Sequence, residues 1–192
     1  GLLMIAWILW FQFHEPFDLH LKQREIHGDL EEYLHQSEAA WPGVKEGTEK
    51  QIRWAFPDER ITEWVLVYFH GFSASRQETA PLTQKVADCL DANVFYTRLT
   101  GHGLPSKFLG KASLQDWLHD ALEALVIAEQ LGKRVMLLGS STGGTLATWL
   151  ATQHPERVDH LVLLSPNFGV HDETSWFLLL PGAPTFLPWV MG

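Results

Sequence analysis

Residues 137–145 read Leu-Leu-Gly-Ser-Ser-Thr-Gly-Gly-Thr, an apolar run that breaks into Gly-x-Ser-x-Gly with Ser141 at the centre and Gly139 and Gly143 on either side. A serine held on a sharp strand-to-helix turn needs very small neighbours two residues away in each direction, because the surrounding chain comes close to those positions. Such a turn lifts the hydroxyl out of the sheet edge. It also points the amide of the next residue, Thr142, at the same space, which makes that amide a candidate oxyanion donor. The flanks complete the unit: residues 134–138 read as a short buried strand, and residues 144–154 carry Leu146, Ala147, Leu150 and Ala151 at helical spacing. Ser140 is a rival nucleophile, but no glycine stands two residues before it, and Ser141 is preferred.

Two phosphate-binding readings of these glycines fail on particular residues. Gly139 to Gly144 has the glycine spacing of a Walker loop, yet Thr145 occupies the place of the lysine that reaches the phosphates. Gly101-His102-Gly103 begins a dinucleotide fingerprint, but position 106 is serine and the segment after it shows no clear helical pattern. It reads as a loop.

At 192 residues, with 46% apolar and 19% charged side chains, the chain can build one substantial core. A formal charge of −9 and the lack of any basic run argue against nucleic acid as a partner. Cys89 is the single cysteine, so no intrachain disulfide is possible. It falls in a helical pattern with Val86 and Leu90 and reads as a small core residue. Residues 1–13 form an apolar segment that is too short to span a bilayer as it stands and lacks the basic start of a signal peptide. Trp7, Trp10 and Phe11 suit the interfacial end of a truncated membrane anchor, with a core-docking or cleaved segment as the alternative. Localisation is therefore left open between membrane association through residues 1–13 and the cytoplasm.

Residues 14–44 read as a tether and an N-terminal helix, in which Asp29 caps a face of Leu30, Tyr33, Leu34, Ser37 and Trp41 before Pro42-Gly43 stops it. Residues 51–56 alternate as a half-buried strand, and residues 64–69 are almost continuously apolar, as in a strand covered on both faces. A helix over 79–90 with Pro81 in its first turn, a strand over 93–98, and a helix opened by a Ser113–Asp116 capping box and closed at Gly132 follow. Residues 160–164 make the last clear strand. The alternation predicts an α/β fold: a mainly parallel, doubly wound sheet with helices on both faces.

Directly after the apolar strand ending at Phe69 comes His70-Gly71-Phe72-Ser73. In an α/β sheet the chemistry gathers at the carboxyl ends of the strands, so this loop should share a crevice with Ser141. Gly71 permits close backbone approach, and the Phe72 amide can serve as a second oxyanion donor. Together with Arg98-Leu-Thr-Gly-His-Gly103 and the serine turn, this loop resembles the α/β-hydrolase fold family, in particular its monoacylglycerol lipase and serine aminopeptidase-like group. The resemblance covers residues 45–170. It implies esterase, lipase, thioesterase or peptidase chemistry without a cofactor. By the same resemblance Ser141 is the nucleophile and Phe72 and Thr142 form the oxyanion hole. His70, Gly71, His102, Gly139 and Gly143 are supporting residues, His102 being structural and not the base.

The pattern departs from the family in one respect. Its triad runs serine, then acid, then histidine along the chain, but here neither acid beyond the strand at 160–164 is followed by a histidine: His171 precedes Asp172 and Glu173. His154 and His160 flank a helix end and a strand start, on the side of the sheet away from the serine. The acid and base are accordingly expected beyond residue 192, with residues 171–192 starting a cap over the substrate pocket and the chain incomplete at its C-terminus. The apolar residues of that tail suit either an acyl-binding lid or packing on further strands. His14, His20, His27 and His35 are spaced unlike metal ligands, and no metal is assigned. Glu123, Glu129 and Lys133 read as a solvated helix face. The expected partner is a small acyl substrate, lipid-like in one reading. The alternative is a membrane-tethered binding or interaction module that keeps the hydrolase fold without turnover.

Overall fold

Runs of apolar strand residues alternating with amphipathic helices are satisfied when both faces of one sheet are covered, and this chain adopts that arrangement. The computed structural model describes residue 21 and residues 25–169, nearly all of which belong to one compact unit, His20–Asn167. In chain order the elements are α1 (Leu30–Ala39), β1 (Gln51–Arg53), β2 (Thr62–Phe69), a 3₁₀ turn (Arg76–Glu78), α2 (Ala80–Leu90), β3 (Asn93–Tyr96), α3 (Ser106–Leu109), α4 (Leu114–Leu131), β4 (Gly132–Ser140), α5 (Thr142–Gln153) and β5 (His160–Leu164). The strands stand in the order β1-β3-β2-β4-β5. All neighbours are parallel except β1, which runs antiparallel to β3. The expected anchor at residues 1–13 and cap at 171–192 lie outside the described residues. No helix among the described residues is long and apolar enough to cross a membrane.

The centre of the sheet explains the apolar run in β2. Val65, Leu66, Val67, Tyr68 and Phe69 have no exposed surface, because β3 and β4 flank the strand and helices cover it above and below. On one face Val65, Val67, Phe69 and Leu137 pack beneath α4 and α5, through residues such as Leu125, Leu131, Leu146 and Leu150. On the other, Leu66, Tyr68, Val94 and Leu138 meet Ala87, Val86 and Leu90 of α2. Each fully buried side chain of this size contributes about 2 kcal/mol by leaving water. Beyond β5 no further strand pairs among the described residues, and its side chains stay partly exposed, as expected of an edge.

Local signals act as expected at the helix starts. Asp29 accepts from the Glu32 amide at 2.9 Å to open α1. At α4, Ser113 and Asp116 exchange bonds, the Asp116 amide donating to Ser113 Oγ and the Ser113 amide to Asp116 Oδ2. Gly132 ends α4 in an extended conformation and passes directly into β4, where a Cβ would stand 2.7 Å from the Val65 nitrogen. Its smallness therefore serves the approach of β4 to β2 and not a left-handed cap.

Several expectations are corrected. The first strand stops at Arg53 instead of continuing to residue 56, because the Ala55 amide donates to the Asn93 side chain and the chain turns away from β3. β3 ends at Tyr96 although the Thr97 amide still donates to Tyr68 O. β4 is longer than 134–138, and α5 begins at Thr142, directly after the serine. One helical turn, α3, forms where the sequence read as plain loop. Cys89 is exposed: the buried stripe of α2 is Thr83 and Ala87, and residue 89 lies about 200° around the helix from Ala87.

The most consequential correction concerns Glu123. It is buried, its carboxylate bonded by Lys50 Nζ at 2.5 Å and by the Tyr33 hydroxyl at 2.5 Å, because α1 and the segment before β1 cover this side of α4. Glu129 pairs with Arg157, and Lys133 belongs to β4, where it faces Glu63. Removing one member of a buried pair strands the other charge. Lys50→Met should therefore cost about 3 kcal/mol in urea unfolding, and adding Glu123→Leu should recover much of that loss.

Candidate active site

The register of the sheet brings the two sequence motifs together. β2 and β4 pair in parallel, with Phe69 opposite Gly139, so that two residues further on Gly71 comes level with Ser141. After β2 the chain leaves towards α2 on one face, and after β4 it leaves towards α5 on the other. This divergence opens a crevice at the carboxyl ends of the two strands, the place where ligands bind in open α/β sheets. The site where a Cβ on Gly71 would stand is 3.4 Å from Ser141 Cβ. The predicted proximity is met.

Ser141 sits in a conformation rare for a residue with a side chain, φ 49° and ψ −117°, between the last residue of β4 and the first of α5. Such a backbone costs on the order of 1–3 kcal/mol and persists only where its surroundings enforce it. Here they do. A side chain on Gly143 would collide with the carbonyl oxygens of Phe69 and His70, and one on Gly139 would stand 2.5 Å from Gly143 O. The turn is also tied to β5: the Ser141 amide donates to Leu164 O at 3.0 Å, and Ser141 O accepts from Asn167 at 3.1 Å. Thr142 is the first residue of α5, so its amide has no partner within the helix. Among the described residues neither this amide nor that of Phe72 donates a hydrogen bond.

Beneath Phe72 lies a group of rings, two of them buried histidines. His70 is fully buried, donating from Nδ1 to Gly71 O at 2.9 Å and accepting at Nε2 from the Leu99 amide at 3.1 Å. Its ring meets that of His102 at 4.8 Å, and Phe72, His102 and Trp117 close the cluster at 5.6–6.2 Å between centroids. Burial pushes the His70 imidazole down to about 4 and lowers that of His102 as well. Both rings are thus neutral near pH 7, and His70 is committed at both nitrogens to the backbone. His102 Nε2 is enclosed without a partner among the described residues. The Phe72 ring itself is more than half exposed and lies over this cluster.

His154 and His160 are placed as expected. His160 opens β5 opposite Met136, while Ser140 lies level with Leu164 at the far end of the strand pair. His154 follows α5. Neither can reach Ser141. Among the described residues no cluster of histidine, cysteine and carboxylate side chains could hold a metal ion.

Three supporting residues gave no sequence signal. Glu78, in the 3₁₀ turn, accepts from the Gly71 amide at 3.0 Å and from the Tyr68 hydroxyl at 2.9 Å. Asp120, on α4, accepts from the Thr100 amide at 2.6 Å and from its hydroxyl at 3.1 Å, and Trp117 Nε1 donates to Thr100 O at 2.9 Å. These bonds fasten the loop that carries His102 to α4. Each joins residues far enough apart that only the tertiary fold brings them together.

A sheet of this topology with a strained serine at the end of a central strand defines the α/β-hydrolase class. The sequence pattern described as "Serine aminopeptidase, S33" matches residues 61–191, and the chain belongs to this family of hydrolases. It is similar to the thermostable monoacylglycerol lipase of Bacillus sp. strain H-257, 30% identical over 45% of this chain and 34% of the lipase. It is also similar to the pimeloyl-(acyl-carrier protein) methyl ester esterase of Shewanella woodyi, 33% identical over 62% of this chain and 41% of the esterase. Among solved structures, one reported under "LipS and LipT, two metagenome-derived lipolytic enzymes" superposes with a TM-score of 0.62 at 25% identity, covering 71% of this chain and 53% of that one. The chain thus spans less than half the length of the two curated relatives it matches here.

The charge states give a pH test. Burial pushes the Asp120 carboxyl up to about 6. A carboxyl whose folded value is raised stabilises the fold below its unfolded value near 3.8 and loses that contribution as pH rises through about 6. Asp120→Asn keeps an acceptor for the Thr100 amide without the charge. The stability of this variant relative to wild type should therefore rise between pH 4 and pH 6.5, by on the order of 1 kcal/mol after solvent screening, in urea unfolding at a series of pH values. His70 acts in the opposite sense: its contribution is present above its unfolded value of 6.5 and is lost as pH falls towards 4.

Proposed function

We propose that the protein is a serine hydrolase that cleaves a carboxylic ester, thioester or amide through an acyl-serine intermediate. The observation that carries this reading is the strained Ser141 turn facing the Gly71 backbone, with the Phe72 and Thr142 amides left without partners among the described residues. In the reaction Ser141 Oγ attacks the substrate carbonyl carbon while a general base takes its proton, and the two amides receive the oxygen that becomes negative. The leaving alcohol, thiol or amine departs with that proton. Water, deprotonated by the same base, then releases the acid and restores the serine.

We place the base and its acid partner outside the described residues, since His70 and His102 are buried in backbone and ring contacts and His154 and His160 lie elsewhere. With both beyond residue 192, as the family pattern implies, the 192-residue chain by itself would turn over esters several orders of magnitude more slowly than a chain that carries them. A binding module without turnover would have no use for the strain at Ser141, and the relatives are named as enzymes, so the hydrolase reading is preferred.

An acyl chain is the substrate portion that the site suits. The exposed Phe72 ring, backed by His102 and Trp117, offers an apolar wall next to the proposed oxyanion donors. The relatives named for a monoacylglycerol and for a methyl ester agree with an ester of an acyl chain. Residues 1–13, read as an anchor, would hold such a site at a lipid surface.

In the protein extended through its reading frame, a fluorophosphonate probe should form its adduct on Ser141, and Ser141→Ala should lose both adduct and ester turnover. An adduct elsewhere, or turnover surviving in the alanine variant, ends the proposal. Phe72→Ala keeps the backbone amide and removes the ring. Its KM for a long-chain p-nitrophenyl ester should rise about tenfold with kcat changed little, and the effect should shrink for the acetate ester.

A further inference from the structure

The loop that offers the Phe72 amide needs something to fix its peptide plane, because Phe72 and Ser73 are exposed and Ser73 has a positive φ of 55°. On the far side His70 does this through its two ring nitrogens. On the side of Ser141, one side chain among the described residues takes hold of the loop backbone: Glu78 Oε2 accepts from the Gly71 amide at 3.0 Å. The same oxygen accepts from the hydroxyl of the fully buried Tyr68 at 2.9 Å, so the carboxylate is itself anchored to the central strand. The point where a Cβ on Gly71 would stand is 3.2 Å from Glu78 Oε1 and 3.4 Å from Ser141 Cβ. Carboxylate and nucleophile therefore border the same small volume.

We infer that Glu78 is a positioning residue for the oxyanion donors, holding the Gly71 peptide so that the next amide, that of Phe72, faces Ser141. This inference rests on the reading of Ser141 as nucleophile. The chemistry of the position supports the role. A carboxylate here accepts two hydrogen bonds and donates none, which is what a tether for an N–H and an O–H requires. As a charge, however, it is unfavourable, since an oxyanion formed on Ser141 would develop near it and like charges repel. An acceptor without charge would hold the loop equally well. The benefit of Glu78 is thus geometric, and the geometry is needed most in the transition state, where donor placement decides the rate.

The test uses the protein extended through its reading frame, with ester kinetics and the rate of Ser141 labelling by a fluorophosphonate measured side by side. Glu78→Ala should lower kcat and the labelling rate by about tenfold while KM stays within about twofold, because the donor is misplaced in the transition state and substrate binding is untouched. Glu78→Gln retains an acceptor and should recover both rates to within about threefold of wild type, or exceed them once the charge is gone. Tyr68→Phe, which frees the carboxylate without disturbing the core packing, should fall between the two and serves if the alanine variant does not fold. An Ala variant that folds and labels at the wild-type rate overturns the tether alone, as does a Gln variant as slow as Ala. An adduct formed away from Ser141 overturns the tether and the nucleophile reading together.

Discussion

The close passage of the β4–α5 bend over the end of β2 is the constraint on which the rest of the site depends. Gly143 rides against the carbonyls of Phe69 and His70 so tightly that no side chain fits between them, and Gly139 lies as close to the first turn of α5. This contact forces Ser141 into its positive φ, aligns the opening of α5 with the crevice, and sets the Gly71 peptide beside the serine. A looser bend would relax the strain and at the same time move the Thr142 amide away from the Ser141 side chain. Strain and placement are therefore one property, maintained by the packing energy of a sheet centre whose five consecutive β2 residues are excluded from solvent.

Around that contact, neutral and bonded groups keep the second loop in place. His70 can hold both Gly71 O and the Leu99 amide only as the neutral Nδ1–H tautomer, and its burial favours that form. Asp120 and Trp117 fix Thr100 from α4, so the loop bearing His102 is fastened to the helix that the Ser113–Asp116 capping box begins. Further out, the Glu123 cluster with Lys50 and Tyr33 joins α1 to the same helix. α4 is in this way the common support: one face packs on β2 and β4, and its polar positions secure both the N-terminal segment and a loop at the crevice.

How much of this could be read from the sequence depends on whether the signal was local. The Gly-x-Ser-x-Gly turn, the capping box at Ser113 and the apolar run of β2 are short-range patterns with a direct steric or burial cause, and the structure places them as expected. Strand ends were less legible, because residues such as Trp54 and Ala55 alternate like a strand while the distant Asn93 side chain takes the amide away. Glu123 and Cys89 were misplaced for related reasons. The helical period places a residue on its own helix but does not say which faces other segments will cover, and α1 covers the side of α4 that carries Glu123. Glu78 and Asp120 had no signal at all, since a tether is defined by what it reaches, Gly71 in one case and Thr100 in the other.

The parts of the site divide between main chain and side chain, and that division bears on what this stretch of sequence can determine. The proposed oxyanion donors are amides, positioned by glycines, by strand register and by tethers, so they serve any acyl carbonyl that reaches Ser141. Selectivity would have to come from side chains around them, of which the exposed Phe72 ring is one among the described residues. Relatives named for a monoacylglycerol and for a pimeloyl methyl ester match this chain at about the same identity. That is the expected result if the matched region carries the shared carbonyl chemistry while the distinction between leaving groups resides in the remainder of each enzyme.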